Sequence, residues 1–536
     1  MPSTDSLLEP EQPRAADGTR YLLLTISALW CVYWFIHAWH YWEDDAYIHL
    51  EFARSVAVGQ GFAFNGRIVA GDTAPLWVLL LAAMHSLIAN WIVAGKVLTL
   101  FGAIFGFAGI YAFARRLATQ LLPGGANFAA AAVLLIAVNP YTCYWIFSGM
   151  EAITAAGLAC FAALAATRDR PAATSFLTAC LLAGLAPLLR PEMIFLTALL
   201  AVPIFGQWRR LRAITSASQF GLLVAGLVLA AAPLALWSLY SFHAFGHVLP
   251  NTNAAKRAGP NQSVVTRLIS IYSIGFPLIV GGVLAGIAAI VFRAARVRNS
   301  FRTALAEALH PTPPASAASP LSSLPLSGWI FICWFAIATV FYIVNHTYVQ
   351  TRYILVPAPG LIIVILVQCF RFSKLAGRAV YGLALIGAIG VSGIVVHPLI
   401  RNKGLNCIAS QDLALFIRNQ IPPDAPVATY VIGQLAFVSQ HAIVDTGGIV
   451  QPESIPYLRA HPGETAQWAA SVGAQYYTDS RSPEPGATAV YTGSFPFIGW
   501  TFHPSLYSTS EHDSLWKLPV SPTVAQSSTK SPMAHP

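Results

Sequence analysis

Charged side chains are scarce in this chain. They make up 10% of its 536 residues, against 56% hydrophobic. A soluble domain carries about 25% charged residues, so the deficit excludes an ordinary water-soluble enzyme and indicates a polytopic membrane protein. Cysteine is sparse too. Of the seven, Cys31, Cys160, Cys180, Cys333 and Cys369 fall in apolar runs, and no CxxC or Cys/His spacing supplies a zinc site. Cys143 and Cys407 both fall on the oxidising side of the topology derived below, but nothing in the sequence pairs them. The net charge of +9 lacks a continuous basic face. Its Lys and Arg residues form short clusters beside apolar runs, which excludes nucleic acid as a partner and marks topology and contact with anionic lipid. The first apolar run, Tyr21–His40, has no small-residue cleavage site and is too long for a signal-peptide core. It reads as an uncleaved anchor.

What is present is a series of apolar runs interrupted by one polar loop. Residues 1–20 are polar and rich in Pro, Asp and Glu, as in a disordered cytoplasmic tail. Tyr21–Ala38 is the first crossing. The loop Tyr41–Pro75 follows, headed by the adjacent acids Asp44 and Asp45. Within it Ala46–Val58 has helical spacing, with Ile48, Phe52 and Val56 on one side and Tyr47, Glu51, Arg54 and Ser55 on the other. Such a helix would lie in the membrane interface. Pro75–Ala89 is apolar but marginal for a crossing, which takes ~20 residues. Positive charge decides its placement. If it stays on the side of the acidic loop, then Arg115, Arg116, Arg168, Arg170, the Trp208–Arg212 cluster and Arg293–Arg302 all face the cytoplasm; if it crosses, all are inverted. It therefore reads as a re-entrant or in-plane helix.

The crossings are then Trp91–Ala114, Asn127–Ile146, Ala152–Ala166, Ala172–Leu189, Met193–Phe205, Gln219–Tyr240, Leu268–Phe292, Gly328–Val344, Tyr353–Phe370 and Gly377–Val396. With the first they make about eleven transmembrane helices. A cytoplasmic linker rich in Pro, Ala and Ser (304–326) precedes the last three. After His397 the composition changes. Asp412–Asn419 has helical spacing, and Val427–Val431, Ile443–Val444 and Gln475–Thr478 read as short strands between Gly- and Pro-containing turns. The fold class expected is mainly α: a polytopic membrane domain (21–397) whose catalytic outer loop is 41–75, followed by a small exported α/β domain (398–518) and a disordered tail (519–536).

On the outer face of this topology the polar residues converge. They are Asp44, Asp45 and Asp72; Glu151 in SGME; Arg190 and Glu192 in LLRPE; His247, Asn251, Lys256 and Arg257; and His346, Arg352 and Tyr353. Ionisable groups beside lipid are costly and serve one another or a substrate. Sugar transfer from a polyprenyl phosphate needs a carboxylate to take the proton of the acceptor hydroxyl, worth roughly 10²–10⁴-fold. It also needs cations or donors to stabilise the departing phosphate. Asp44 or Asp45 suits the first role; Lys256, Arg257, Arg190 and Arg352 suit the second.

Blander roles stand beside these. Glu43, Asp44 and Asp45 precede a helix, where an N-cap and the helix dipole account for acids without catalysis. Arg190 and Glu192 suit a structural ion pair, Lys256 and Arg257 suit lipid headgroups, and Asp72 suits a turn. His247 and His346 suit hydrogen bonds within loops. Adjacent Asp residues also match Mg²⁺ or Mn²⁺ chemistry, yet nearby cations neutralise phosphate without a metal. No metal ligand is assigned, and a divalent ion stays open as a cofactor.

The ordered set of motifs resembles the GT-C superfamily of polyprenyl-phosphate-sugar glycosyltransferases, most of all bacterial relatives of the mycobacterial terminal arabinofuranosyltransferases. The stretch EDDAYIHLEFARSVAVGQGFAFN is similar to that family's Asp-Asp-Ala-(Tyr/Phe)-Ile loop with its Gly-x-Gly and Asn. PLW at Pro75–Trp77, SGME, RPE at Arg190–Glu192, LPNT at Leu249–Thr252 with Lys256, and RY at Arg352–Tyr353 follow in order, with VDTGGIVQPE at Val444–Glu453 near the end. The resemblance implies a GT-C fold, a lipid-phosphate sugar donor, transfer on the exported face and Asp44/Asp45 at the active site. One departure stands out. Where the family tends to have Val-Glu-Gly-Tyr-Thr-Asn-Pro, Val69–Pro75 here has Ala70, Asp72 and Ala74 at the Glu, Tyr and Asn positions, so the sugar need not be arabinose.

The expected protein is an inverting glycosyltransferase of the bacterial inner membrane, with its N-terminus cytoplasmic and its C-terminal domain extracytoplasmic. Its partners would be a polyprenyl-phosphate-linked sugar donor, an envelope glycan, glycolipid or protein acceptor, and membrane lipids. Two other classes compete with this reading. A lipid-linked glycan flippase or transporter would place ionisable groups at the midplane and repeat internally, and neither pattern is visible. A sensor or scaffold would use its exported domain to bind a partner.

Overall fold

A computed structural model describes residues 15–122, 125–170, 172–214, 219–258, 262–297, 324–479, 482–494 and 512–519. Most of the expected N-terminal tail, nearly all of the 304–326 linker and almost all of the C-terminal tail lie outside these residues. Among the described residues seven helices are long and apolar enough to cross a membrane: Gly18–His37, Trp91–Leu121, Pro191–Arg212, Phe220–Phe245, Val264–Val291, Leu326–Val344 and Lys374–Gln420. Five shorter apolar helices, of 10–17 residues, accompany them. Large apolar side chains are exposed along these helices, including Phe220, Val228, Leu236 and Leu239. Such a surface is stable only against lipid.

Helix α1 (Ala15–His37) leads into α2 (Asp44–Ala57), a two-stranded hairpin β1/β2 (Ala63–Phe64 and Arg67–Ile68), α3 (Pro75–Leu87) and α4 (Trp91–Leu121). The hairpin turns on Asn65 and Gly66, both at positive φ, the backbone that an Asn-Gly turn supplies. Helix α3 has 13 residues, a length of ~20 Å against a hydrocarbon core of ~30 Å. It is too short to span.

Next come α5 (Phe128–Ala137), α6 (Pro140–Trp145), α7 (Ala152–Ala166), α8 (Ala173–Leu189), α9 (Ile194–Ile214) and α10 (Gln219–Phe245). The crossing expected over Asn127–Ile146 is broken in two. Pro140 lacks the N–H a continuing helix needs, and the Asn139 side chain instead accepts from Tyr141 N at 3.0 Å and donates to Ile274 O at 3.0 Å. Helix α9 outruns its expected end at Phe205 because its polar last turns find partners; Gln207 Nε2, for one, donates to Ala165 O.

Short helices α11 (Thr252–Ala258) and α12 (Val264–Tyr272) precede α13 (Phe276–Val297) and α14 (Leu326–Val344). After α15 (Thr351–Ile354) and α16 (Ala358–Phe372), α17 (Lys374–Val391) passes through a π-helical segment, Ser392–Val396, into α18 (His397–Gln420). The boundary expected at residue 397 is therefore no break in the backbone. Pro398 sits at the start of α18, directly after the π turn, where a missing N–H is tolerated.

The C-terminal domain is a five-stranded sheet in the order β4-β3-β5-β7-β6. Strand β3 (Val427–Thr429) pairs parallel with β4 (Ile443–Asp445) and β5 (Tyr476–Asp479), while β7 (His512–Lys517) runs antiparallel to β5 and β6 (Thr488–Ser494). Helix α19 (Ile432–Ser439) links β3 to β4 and packs on α2. That contact corrects one expectation. Helix α2 does not lie open on an interface: Ile48 and Phe52 are buried, and so are Tyr47, Glu51 and Ser55 on the opposite side. The Tyr47 ring lies 6.0 Å from that of Phe437, and Arg54 Nη1 donates to Phe437 O at 3.1 Å.

Candidate active site

The loop that carries the acids is tied down by a lysine within a membrane helix. Lys96 on α4 is fully buried and donates to Ala38 O and Tyr41 O at 2.8 Å and to Phe147 O at 2.9 Å. Its ammonium also sits 4.7 Å from the Trp42 ring. It thereby joins the end of α1 to the turn before α7. That turn continues the scaffold. Glu43 N donates to Ser148 O at 2.9 Å, and Trp77 Nε1 to Gly149 O at 3.1 Å. Gly149 has φ +91, and a Cβ there would meet Trp42 and Ala46 at 2.3–2.5 Å.

Helix α2 starts on this scaffold, and its acids do not cap it. Glu43 at the N-cap makes no side-chain capping bond; its Oε2 accepts from Tyr41 Oη at 2.9 Å. The neighbouring aspartates diverge. Asp44 reaches the C-terminal domain, where Oδ2 accepts from Gly433 N at 3.1 Å and Oδ1 from Gln434 N at 2.9 Å. Burial pushes its carboxyl up to about 7, although these two N–H groups oppose the shift. Asp45 turns the other way, into a cavity, and pairs with Arg352 Nη2.

The cavity is small, about 40 Å³, and is lined by Asp45, Ile48, His49, Gly71, Asp72, Thr73, Met150, Glu151, Arg190, Thr252, Lys256, Arg352, Tyr353 and Ile449. Asp45, Ile48 and His49 share one face of α2 by their i, i+3, i+4 spacing. His49 Nδ1 lies 2.5 Å from Asp72 Oδ2, and Nε2 lies 3.6 Å from Glu151 Oε2. Burial lowers the His49 pKa, but Asp72 and then Glu151 outweigh it and the net shift is upward. Asp72 also forms the turn foreseen for it, accepting from Ala74 N at 2.6 Å. Arg190 is fully committed on its inner side, with Nη1 2.5 Å from Glu151 Oε1 and Nε 2.5 Å from Glu192 Oε1.

Lys256 and Arg352 flank Tyr353. Lys256 Nζ donates to Tyr353 Oη at 2.6 Å. The Arg352 guanidinium lies 5.4 Å from the rings of both Trp145 and Tyr353. It binds Asp45 with one nitrogen, while its buried Nε and Nη1 have no acceptor among the described residues. Asp45 keeps 32% of its side-chain surface, opening onto the cavity. Burial would raise its pKa, but Arg352 and then Lys256 hold its carboxyl well below the usual carboxylate range. It is ionised throughout the physiological range.

Not every expected residue reaches the cavity. Glu192 stands behind Arg190. His247 is exposed, its Nδ1 2.8 Å from Leu249 O, and Arg257 is exposed. Asn251 serves through its backbone, donating to Ala70 O at 2.9 Å. His346 lies at φ 53 with Nδ1 3.2 Å from Arg267 Nη1. Two residues escaped the sequence reading, His49 and Lys96. The signal for Lys96 was present, since an ionisable residue inside an apolar run is costly unless it is used. As for metal, no group of three or more His, Cys, Asp or Glu side chains that could hold an ion occurs among the described residues. The acid in the cavity is matched instead by guanidinium and ammonium groups.

Comparison with solved structures places the chain beside ArnT from Cupriavidus metallidurans. The structure of ArnT bound to undecaprenyl phosphate matches with a TM-score of 0.55 at 14% identity, over 94% of this chain and 98% of that one. The apo structure matches with 0.53 at 16% identity over the same shares. At such identities the likeness is one of fold. A family model described as a domain of unknown function (DUF8728) matches residues 401–519. No curated protein matches the chain.

Proposed function

We propose that this chain, whose fold is that of the GT-C glycosyltransferases, is a membrane glycosyltransferase that takes its sugar from a polyprenyl-phosphate donor. The observation that carries this reading is the state of Arg352. A buried guanidinium with two unmatched donor nitrogens, next to a carboxylate and an ammonium, suits a phosphate oxygen. That ArnT has been solved with undecaprenyl phosphate supports the same ligand class for a chain of this fold.

In the proposed reaction the lipid phosphate accepts from the Arg352 guanidinium and the Lys256 ammonium. Phosphate then competes with Asp45 for Arg352. As that pairing weakens, the proton affinity of Asp45 rises and the carboxylate becomes a better base. Asp45 takes the proton of an acceptor hydroxyl while that oxygen attacks the anomeric carbon. The bond from that carbon to the phosphate oxygen breaks, and the polyprenyl phosphate leaves with the negative charge on the two cations. Attack from the face opposite the leaving group inverts the anomeric centre. His49, held between Asp72 and Glu151, keeps the floor of the cavity fixed. The acceptor would be an envelope glycan, glycolipid or protein at the exported face of the bacterial inner membrane. Among the residues flagged in the sequence, Asp45, Lys256, Arg352 and Tyr353 act on substrate, and Glu151, Arg190 and Glu192 hold the frame.

Binding of undecaprenyl phosphate to the chain in nanodiscs tests the reading. Losing charge-assisted hydrogen bonds to phosphate should weaken binding roughly 10–100-fold in Arg352→Gln. Asp45→Asn should bind at least as tightly as wild type, because it releases Arg352. Equal affinity in wild type and Arg352→Gln would refute it. Movement of a lipid-linked glycan across vesicles with no sugar transfer would favour the flippase class instead.

A further inference from the structure

The C-terminal domain is seated on the catalytic loop through a run of specific contacts. Asp44 takes two N–H groups of the first turn of α19, those of Gly433 and Gln434. Arg54 donates to Phe437 O. Asn65 clasps the entry to β4, with Nδ2 donating to His441 O at 2.7 Å and Oδ1 accepting from Ile443 N at 3.0 Å. Arg67 pairs with Glu453. The residues contacted therefore span 433–453, within the region matched by the model of unknown function.

Two glycines show how close the surfaces come. A Cβ on Gly433 would fall 2.1 Å from Asp44 O and 2.9 Å from Asp44 Oδ1. On the other side of the seam, a Cβ on Gly71 would fall 2.7 Å from Val450 Cγ1 and 3.3 Å from Ile449 O. Contacts below 3 Å do not persist, so both positions need glycine for the surfaces to meet. The next residue to Gly71 is Asp72, and Ile449 itself lines the cavity. Through Ile449, beside Gly71, the C-terminal domain thus contributes to the lining of the cavity.

We propose that residues 433–453 of the C-terminal domain form the closing wall of the catalytic cavity, and that Asp44 is the positioning residue that seats this wall. The inference rests on the transfer reading above and divides the Asp-Asp pair: Asp45 does the chemistry and Asp44 holds the domain. Both Asp44 oxygens already accept backbone N–H groups, directed away from the cavity. Its role needs a compact acceptor more than a proton acceptor. Asn supplies one carbonyl oxygen in the same place and keeps part of the seat; Ala supplies none.

The experiment pairs sugar transfer with hydrogen–deuterium exchange, on the full chain in nanodiscs, for Asp44→Ala, Asp44→Asn and Gly433→Ala. Misplacing a reacting group by ~1 Å costs about 10²-fold. Asp44→Ala and Gly433→Ala should both lower kcat about 10²-fold and raise exchange across 433–453, with exchange in α4 and α10 unchanged. Asp44→Asn should retain transfer within about tenfold of wild type. Gly433→Ala transferring at the wild-type rate would overturn the proposal, as would Asp44→Ala losing transfer with exchange across 433–453 unaltered. If the wild-type chain transfers no sugar from any polyprenyl-phosphate donor, the transfer reading falls. The exchange arm then decides alone whether Asp44 seats the domain.

Discussion

Arg352 is where charge balance and chemistry meet. It holds the Asp45 carboxyl far below its ordinary pKa against the pull of burial. Removing the guanidinium leaves burial less opposed, so the pKa of Asp45 rises. The acid limb of the kcat/KM profile should therefore move to higher pH in Arg352→Gln, while Arg352→Lys keeps most of the wild-type position. A profile in Arg352→Gln superimposable on wild type would contradict this. His49 titrates in the opposite sense. Its folded-state pKa is raised by Asp72 and Glu151 above the ordinary 6.5, so its stabilising contribution is complete below ~6.5 and fades as pH climbs through the raised value. The melting temperature should fall as pH climbs through that raised value in wild type, and His49→Gln should melt lower with a flatter slope. Lys96→Met takes the side-chain donor from the buried carbonyls of Tyr41 and Phe147, while Ala38 O keeps Tyr41 N, a loss of ~2 kcal/mol or more, read as a lower melting temperature in detergent.

The elements around the cavity work as clamps, and their strength lies in turns. Gly149 sits at φ +91 with no room for a Cβ beside Trp42 and Ala46. Gly149→Ala should cost ~1–3 kcal/mol of strain and push the start of α2 off the 147–149 turn. Transfer would then drop while the bundle still folds; unchanged transfer would show that the turn does not set the position of Asp45. Much at this scale was legible in advance. Asp45, Asp72, Glu151, Arg190, Lys256, Arg352 and Tyr353 stand at the ends of apolar runs, where a polar residue is rare, and the fold brings all seven to one cavity. The cover on α2 was hidden, because its amphipathic pattern cannot reveal a partner helix some 390 residues later. The β1/β2 hairpin passed unread although Asn65-Gly66 is a hairpin signal. Strands β6 and β7 also passed unread. His49 was hidden because its partners, Asp72 and Glu151, come from two other segments.

Across the whole molecule the charges separate by function. Arg116, paired with Asp169, lies ~30 Å along α4 from Lys96 at ~1.5 Å per residue, about the thickness of a hydrocarbon core. Arg168 and Arg210 gather at that same far end, where Arg210 Nη2 lies 3.4 Å from Arg168 O. The cavity, the acidic loop and the C-terminal domain share the near end. This is the arrangement expected of a protein that keeps its basic clusters in the cytoplasm and works on the opposite face. The account makes one central claim, that Asp45 is the base of a sugar transfer from a lipid phosphate. It is tested most directly by the rate at which purified chain in proteoliposomes moves labelled sugar from a polyprenyl-phosphate donor, with Asp45→Asn measured beside wild type. The account predicts transfer by wild type and a loss of at least ~10²-fold in Asp45→Asn with donor binding retained; transfer by Asp45→Asn at the wild-type rate would contradict it.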